Sequence, residues 1–360
     1  MNTMTTFERM THIYNHQMPD QVPITDWLWE STYWRWLKEG LPTKLEEAVN
    51  YLGMDRFVQL NYDVIDSSPR FEEYVIEETE DYRIERDRFG ITKKNFKPVS
   101  ATFQHLDHEV KDKDSWLKAK ERMTPSRDRI NWAYLEQNYP RWRKEGYWII
   151  VAPWFGYDVV NARMCNTETI LYAMMDDPDW VADMCNTGCD LSIALLEMML
   201  AEGYDFDEWM WYDDMAYRGG MIFSKKKWRE ILMPYQKRVI DWTHDHGKKV
   251  HLHCCGNINA LLPELVELGI DMLNPLEIKA GMDPFAIKRQ YGDRLVLRGG
   301  FDIQKWHCAE EVEEDIRRKL PVMMEGGGYV FSSDHSVSDL VSLQDYLRIV
   351  QLVREVGKYS

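Results

Sequence analysis

The chain has 360 residues, of which 44% are hydrophobic and 29% are charged, and it contains no low-complexity tract. This composition is typical of a folded protein with a large core, and it excludes the disordered, collagenous and coiled-coil classes. Acidic residues outnumber basic residues by 60 to 44, which gives a formal net charge of −16. Such a charge repels nucleic-acid backbones and anionic membrane surfaces, so we expect neither as a partner.

The N-terminal segment and the cysteine content indicate a cytoplasmic protein. The first 20 residues contain no basic segment followed by an apolar stretch, and the apolar run around residues 147–155 is too short to span a bilayer. Six cysteines are too sparse for a disulfide framework, so we expect reduced thiols that are free to bind a metal. The sequence is compatible with a homodimer but does not determine the oligomeric state.

Short apolar runs alternate with longer amphipathic stretches, a pattern typical of βαβ units around a parallel sheet. We predict eight strands, at residues 22–29, 56–63, 148–154, 205–213, 249–255, 270–277, 295–302 and 328–335. Helices are predicted for residues 225–246, with Ser224 as the N-cap, and for residues 258–268, with Gly269 at the C-terminal end. Eight such units predict a (β/α)8 TIM barrel, with an open doubly wound sheet as the alternative.

Residues 71–147 interrupt the alternation of strands and helices. Within this segment, residues 71–97 alternate in polarity and contain turn residues, as in a β-hairpin, and residues 112–140 are predicted as helix. No linker rich in Pro, Gly or Ser flanks the segment. We therefore predict one barrel domain, residues 1–360, with residues 71–147 as an insertion between barrel strands 2 and 3.

Acidic residues follow the predicted strands at the end where barrel enzymes build their active sites. Asp213 and Asp214 are successive residues and so face opposite sides, which allows only one of them to point into the barrel mouth. A buried carboxyl there has a raised pKa and serves as a general acid or base, and Asp302 is the third candidate of this kind. Helix capping is the simpler role for each of these carboxylates.

Aromatic residues are frequent near the same strand ends. The candidate substrate-binding residues are Trp27, Trp29, Asn61, Trp154 and Tyr212. An aromatic-lined mouth suits an aryl methyl ether or, through cation–π attraction, a methylated amine. Core packing is the alternative role of these rings.

The segment His-Leu-His-Cys-Cys-Gly-Asn is the sharpest local feature of the sequence. Side chains alternate along a strand, so His253 and Cys255 share one face. An imidazole and a thiolate side by side form half of a tetrahedral zinc site. His335 and Glu277, which end other predicted strands, are the candidate third and fourth ligands. A core histidine and an inert buried cysteine remain the alternative interpretation.

A set of short segments occurs in a fixed order along nearly the whole chain. They are 19–23 (PDQVP), 85–90 (ERDRFG), 211–214 (WYDD), 253–257 (HCCGN), 274–277 (NPLE), 291–294 (YGDR), 299–302 (GGFD) and 333–335 (SDH). Together they resemble the uroporphyrinogen decarboxylase superfamily, and more specifically its cobalamin-dependent methyltransferase branch. The Arg-Gln-x-Gly-Arg motif with which the true decarboxylases grip substrate carboxylates is absent from residues 27–32, which argues against porphyrin decarboxylation.

The resemblance implies a (β/α)8 barrel in which zinc is held by His-x-Cys and a later cysteine. His253 and Cys255 match the first two ligands, whereas His335 stands about where the later cysteine is expected. The implied activity is zinc-dependent transfer of a methyl group between a small molecule and a corrinoid protein that carries methylcobalamin. Two alternatives stay open: a metal-independent decarboxylase or lyase acting on a small carboxylate, and a non-enzymatic protein that binds a corrinoid or tetrapyrrole.

Overall fold

The computed structural model describes residues 3–97 and 102–359 and contains strands from two main sheets. The strands are β1 Phe57–Leu60, β2 Tyr74–Glu78, β3 Tyr82–Arg86, β4 Ile91–Phe96, β5 Gln104–His108, β6 Trp148–Val151, β7 Glu208–Tyr212, β8 Ala216–Tyr217, β9 Gly220–Met221, β10 Lys249–His253, β11 Met272–Asn274, β12 Val296–Arg298 and β13 Tyr329–Val330. Seven of them form a curled parallel sheet in the order β1-β6-β7-β10-β11-β12-β13. This sheet confirms seven of the predicted strands.

Most of the helices alternate with the strands of the parallel sheet along the chain. They are α1 Thr6–Tyr14, α2 Glu30–Lys38, α3 Leu45–Leu52, α4 Lys113–Glu121, α5 Trp132–Lys144, α6 Tyr157–Val159, α7 Thr167–Asp176, α8 Pro178–Ala201, α9 Lys225–Lys227, α10 Met233–Asp245, α11 Leu262–Leu268, α12 Pro284–Tyr291, α13 Ala309–Met324 and α14 Leu343–Val356. A π-helical turn, Trp228–Leu232, joins α9 to α10, so the predicted helix 225–246 is present with one irregular turn. The Ser224 hydroxyl caps it by accepting from the Lys227 N–H at 3.3 Å.

The predicted helix 112–140 is wrong as a single element, because the structure contains two helices, α4 and α5, in that region. Pro125 lies between them and has no N–H to donate to a helical ladder. Its ring also disfavours the helical conformation for Thr124. A short 3-10 turn, Arg127–Arg129, fills part of the gap.

The predicted strand at residues 22–29 is also wrong, because this segment is extended but makes only isolated bridges. Its backbone bonds to both edges of the sheet: Thr25 N–H donates to Phe331 O at 3.1 Å, and Asp55 N–H donates to Ile24 O at 2.9 Å. The N–H of Ile24 donates instead to the carboxylate of Asp55 at 2.8 Å. A side chain therefore takes the hydrogen bond that would have continued the ladder, and Pro23 has no N–H to offer.

The segment between β1 and β6 forms a second sheet of its own. The predicted hairpin at residues 71–97 is wrong in extent, because four antiparallel strands, β2 to β5, pair in sequential order. Although this sheet lies between them in sequence, β1 and β6 are direct neighbours in the parallel sheet. The division into one domain with an insertion stays a prediction.

The concave side of the parallel sheet has its own small core. It contains alternate residues of the strands, among them Ile150, Met210 and Met272, all of them buried. Ile13 and Tyr14 of α1 pack against the same cluster. Helix α1 therefore covers one end of the curled sheet, and the other end, where the strands terminate, is free to form a site.

One helix, α8, has the length and composition of a membrane span. Half of its most apolar window is buried inside the protein, as in the core helices of many globular proteins. The helix packs against α7 and α10. The predicted cytoplasmic location stays a prediction.

The backbone after β12 depends on a glycine. Gly299 has a φ of +104°, and a Cβ added there would lie 1.9 Å from the carbonyl oxygen of Pro275. We expect Gly299→Ala to lower the free energy of unfolding, measured in urea, by at least about 2 kcal/mol more than the matched variant Gly40→Ala. Gly40 has the same φ of +104° and nothing within 4 Å of the added Cβ, so its variant carries only the backbone strain, about 1–2 kcal/mol. Equal losses in the two variants would contradict the close approach.

Candidate active site

Four neighbouring strands place polar side chains in one row at their carboxyl ends. In the register of the sheet, Tyr212 pairs with His253 and His253 pairs with Asn274. Leu273 pairs with Leu297, so Arg298 lies next to Asn274. Paired residues of parallel strands point to the same face. All four polar side chains of this row line one cavity of about 450 Å³.

Cys255 is the centre of a cluster of metal-ligating groups. Donor atoms of Cys255, Glu277 and His335 all lie within 4.8 Å of one another, and so do donor atoms of Cys255, His253 and Asp214. The Cys255 sulfur lies 3.4 Å from His253 Nε2. The structure thus brings all four predicted metal ligands together around Cys255 and adds Asp214, which was predicted as a catalytic carboxylate.

Backbone hydrogen bonds fix this cluster where the chain leaves β10. The N–H of Cys255 donates to Asp214 Oδ1 at 2.7 Å, and the N–H of Gly256 donates to Glu277 Oε2 at 2.6 Å. Gly256 has a φ of +84°, and a Cβ there would meet the backbone of Ala216 at 2.6 Å. Only glycine therefore allows the turn that follows Cys255.

The chemistry of the donor set fits zinc. One sulfur, two imidazoles and carboxylate oxygens are ligands that Zn²⁺ accepts in proteins. Burial, together with the charges of His251, Arg298 and His335, lowers the pKa of His253 to about 3, so its ring is neutral and has a lone pair to donate. Burial, followed by the charges of Asp214 and Glu277, raises the pKa of Cys255. The cluster of acceptors thus favours a cation.

Asp213 and Asp214 face opposite sides, as their adjacency predicts. Asp214 lines the cavity, whereas Asp213 is fully buried outside it. The carboxylate of Asp213 accepts from Gln236 Nε2 at 2.8 Å, from Asp158 N–H at 3.1 Å, from Trp211 Nε1 at 3.3 Å and from the Tyr235 hydroxyl. Burial raises the pKa of Asp213 to about 6 in spite of these donors. Asp213 therefore holds three elements together and has no free oxygen for substrate.

Aromatic rings form much of the cavity wall. Four of the five predicted substrate-binding residues line it: Trp27, Trp29, Trp154 and Tyr212. The Trp29 ring lies 5.6 Å from the ring of His335, and the Tyr212 ring lies 4.8 Å from that of His253, centroid to centroid. The rings therefore adjoin both imidazoles of the candidate metal cluster.

The remaining predicted residues lie outside the cavity lining. Asn61 makes a local turn, where its Oδ1 accepts from the Asp63 N–H at 3.0 Å. Asp302 caps a 3-10 turn, Ile303–Lys305, by accepting from the Gln304 N–H at 3.0 Å. Both residues follow strands, but the chain turns away before their side chains reach the mouth.

Four charged residues of the cavity were not predicted as site residues: Asp26, Asp158, Arg163 and Arg298. Asp158 and Arg163 belong to the helical segment after β6, which carries no motif. Arg298 interrupts an apolar strand, and a lone charge in a buried strand was the signal that could have revealed it. Burial, followed by the charge of Asp214, raises the pKa of Asp158 to about 7. Burial, together with the charges of Asp213 and Glu277, raises the pKa of Asp214 to about 6.

A buried ionic layer supports this row from below. His251 Nδ1 lies 2.6 Å from Glu208 Oε1, and His251 Nε2 lies 2.8 Å from Asn274 Oδ1. The other oxygen of Glu208 accepts from Tyr14 and Trp148, each at 2.7 Å. Burial acts to raise the pKa of Glu208, but the charge and hydrogen bonds of these partners outweigh it and lower the pKa. The layer fixes Asn274 beside His253.

A curled parallel sheet with a polar site at the carboxyl ends of its strands is the architecture of an α/β barrel-type enzyme. The sequence model of the uroporphyrinogen decarboxylase (URO-D) family matches residues 150–356, more than half of the chain. The chain belongs to this family. A uroporphyrinogen decarboxylase of Shewanella loihica is 24% identical over 156 residues, which cover 42% of this chain and 40% of that protein.

A solved structure shows the same fold. A methyltransferase from Methanosarcina mazei superposes with a TM-score of 0.66 at 17% identity, over 98% of this chain and 99% of that one. A B12-independent methionine synthase from a Shewanella species, in complex with selenomethionine, gives a TM-score of 0.39 at 11% identity, over 94% and 95% of the two chains. The first likeness confirms the URO-D-like fold over the whole length of the chain.

The hydrogen bonds of Asp213 predict the effect of removing its charge. Every partner of the carboxylate donates, so the amide of Asp213→Asn sets an N–H group against N–H or O–H donors in a buried position. We expect a loss of about 2–4 kcal/mol in the free energy of unfolding at pH 8, where the carboxylate is ionised. The matched control is Asp302→Asn, since asparagine caps helical turns about as well as aspartate. Similar urea midpoints for the two variants would contradict the structural role of Asp213.

Proposed function

We propose that this protein is a zinc-dependent methyltransferase that moves a methyl group between a small molecule and methylcobalamin carried by a corrinoid protein. The observation that carries the proposal is the convergence of Cys255, Glu277 and His335 donor atoms within 4.8 Å, with His253 beside them. Membership of the URO-D family and the fold shared with the Methanosarcina methyltransferase support it.

The residues that would hold zinc are Cys255, His335 and His253, with Glu277 or Asp214 as the oxygen ligand. A zinc ion there would supply a Lewis acid that keeps a bound thiol ionised or makes an ether oxygen a better leaving group. The surrounding aromatic wall excludes water and positions an apolar methyl-bearing group. The exchange of a cysteine for His335 makes the site harder and less negative than a two-cysteine site.

We also propose that the segment around residues 22–28 closes the sheet into a (β/α)8 barrel. It occupies the eighth position, since its backbone bonds to Phe331 on one edge and to Asp55 on the other. This placement explains why Trp27 and Trp29 line the cavity, because the segment carries both rings to the carboxyl ends of the strands.

Metal analysis tests the zinc site directly. We expect about one equivalent of zinc in the purified chain and less than about one tenth in Cys255→Ser or His335→Ala, because each variant removes a ligand from a three- or four-ligand set. The matched control is Cys254→Ala, since Cys254 faces the core, where its sulfur accepts from the Met215 N–H at 3.4 Å. Zinc retained in both ligand variants, or lost equally in Cys254→Ala, would contradict the assignment.

A spectroscopic assay tests the transfer. The chain is mixed with cob(I)alamin and candidate methyl donors, and formation of methylcobalamin is followed by its absorbance. We expect turnover that disappears with a strong chelator and in Cys255→Ser, by a factor of at least about 100. The absence of methylcobalamin with methyl ethers, methylamines and methyl thioethers alike, and of demethylation of methylcobalamin by thiols, would refute methyl transfer.

A metal-independent decarboxylase or lyase is the second candidate function. The observation that favours it is the pair of cavity carboxyls, Asp158 and Asp214, whose pKa burial raises toward neutrality, as a general acid requires. Release of carbon dioxide that persists in the presence of a strong chelator would favour this candidate over methyl transfer.

A further inference from the structure

Arg298 is a buried cation without a hydrogen-bonding partner among the residues that the structure describes. Its side chain is on β12, and the residue is 3% exposed. Among the described residues it has no hydrogen-bond acceptor and no carboxylate within ion-pair distance, and its Nε is buried without a partner. Burial of an unpaired charge costs several kcal/mol of folding free energy. A protein that keeps such a residue is therefore expected to use it to bind a group from outside the chain.

The two other buried arginines show what a satisfied guanidinium looks like in this protein. Arg9, also 3% exposed, pairs with Asp20 at 2.8 Å and with Asp55. Arg129, 3% exposed as well, donates to four backbone carbonyl oxygens at 2.5–2.9 Å. Arg298 has neither kind of partner, so its state is not a general feature of buried arginines in this fold.

The carboxylates whose charges act on Arg298 are already engaged elsewhere. Asp26 accepts from the Ser333 N–H at 2.8 Å, from the Ser333 hydroxyl at 2.6 Å and from the Tyr346 hydroxyl at 3.0 Å. Glu208 is saturated by His251, Tyr14 and Trp148. Both therefore stabilise the charge of Arg298 from a distance but leave its N–H groups free to donate.

The free donors face the candidate active site. Arg298 lines the cavity in the same row as His253, two strands away, which separates their backbones by about 10 Å. The ring of Trp27 lies 5.6 Å from the guanidinium carbon and covers one side of it. In a benzoate whose carboxylate is bound by Arg298, a substituent on the opposite side of the ring would thus lie beside the Cys255 cluster.

We propose that Arg298 binds a carboxylate group of the substrate, so that the methyl donor or acceptor is a small aromatic or aliphatic carboxylate. A guanidinium matches a planar carboxylate with two parallel hydrogen bonds. Three carboxylates (Asp26, Asp158 and Asp214) and two guanidinium groups (Arg163 and Arg298) line the cavity, and this excess of negative charge favours a monoanion over a phosphate dianion. The identity of the reacting methyl group rests on the proposed function, whereas the anion site does not.

Calorimetric titration tests the anion site. The probes are 4-methoxybenzoate, benzoate and acetate, with methoxybenzene as the neutral analogue and inorganic phosphate as the competitor. We expect Arg298→Met to weaken binding of 4-methoxybenzoate by at least about tenfold and to leave binding of methoxybenzene unchanged within about threefold. Arg298→Lys retains the charge without the two-pronged geometry and is expected to be intermediate.

Two controls separate ligand binding from a structural role. Arg163→Met removes the second cavity guanidinium, which stacks on Trp154 at 4.7 Å and lies 3.8 Å from Asp87, and it is expected to change the Kd of 4-methoxybenzoate by less than about threefold. Arg298→Met is expected to raise or maintain the melting temperature, because it removes an unpaired buried charge. A structural role would instead lower the melting temperature and affect all ligands equally.

The outcomes distinguish this inference from the proposed function. If Arg298→Met retains zinc but loses carboxylate binding, the anion site is supported. If the wild-type protein binds carboxylates but holds no zinc, the anion site is supported and the zinc-dependent methyltransferase is refuted. No binding of any of the three carboxylates below about 10 mM, or equal binding to wild type and Arg298→Met, overturns the inference. Displacement of the carboxylates by equimolar phosphate overturns the choice of carboxylate.

Discussion

The register of the parallel ladder is the constraint on which the site depends. Because paired residues in neighbouring strands share a face, His253, Asn274 and Arg298 point together into one cavity. A slip of one residue in β10 would turn His253 toward the helices and bring Leu252 into the cavity. Cys255 lies two residues beyond His253, past the last ladder pair, and so needs the hydrogen bond from its N–H to Asp214 to hold its position.

The charged groups deep in the protein have hydrogen-bonding or ionic partners, whereas several charged groups at the cavity do not have a full set of partners among the described residues. The deep groups, among them Asp213, Glu208 and Arg9, are saturated by donors or counter-charges of the chain itself, and they hold helices and strands together. Asp158, Asp214 and Arg298 at the cavity are only partly satisfied, and burial displaces their pKa values. Such under-satisfied groups at a strand-end cavity are the usual mark of a binding or catalytic site, since a stable core without function would replace them.

Hydrophobic patterning was sufficient for most of the parallel sheet, because buried parallel strands are continuous apolar runs that differ from amphipathic helices in length and period. The prediction from patterning failed where a side chain distant in sequence took a backbone hydrogen bond, and where a proline interrupted a helix. The carboxylate of Asp55 takes the N–H of Ile24 and so ends a strand that the pattern favours. Pro125 divides the predicted helix, because it has no N–H to donate to a helical ladder. The four antiparallel strands exceed the predicted hairpin because β5 pairs beyond the window in which local alternation is visible.

The sequence by itself determined seven strands of the parallel sheet, the Ser224 cap, the shared face of His253 and Cys255 and the likeness to one family. Each of these depends on residues close together in the chain or on ordered motifs. Only the tertiary structure decided which carboxylate faces the cavity, that Glu277 and His335 reach Cys255, and that Arg298 has no hydrogen-bonding partner among the described residues. These are facts about groups brought together by sheet curvature and loop direction. They depend on contacts between residues tens to hundreds of positions apart, for which a local pattern has no signal.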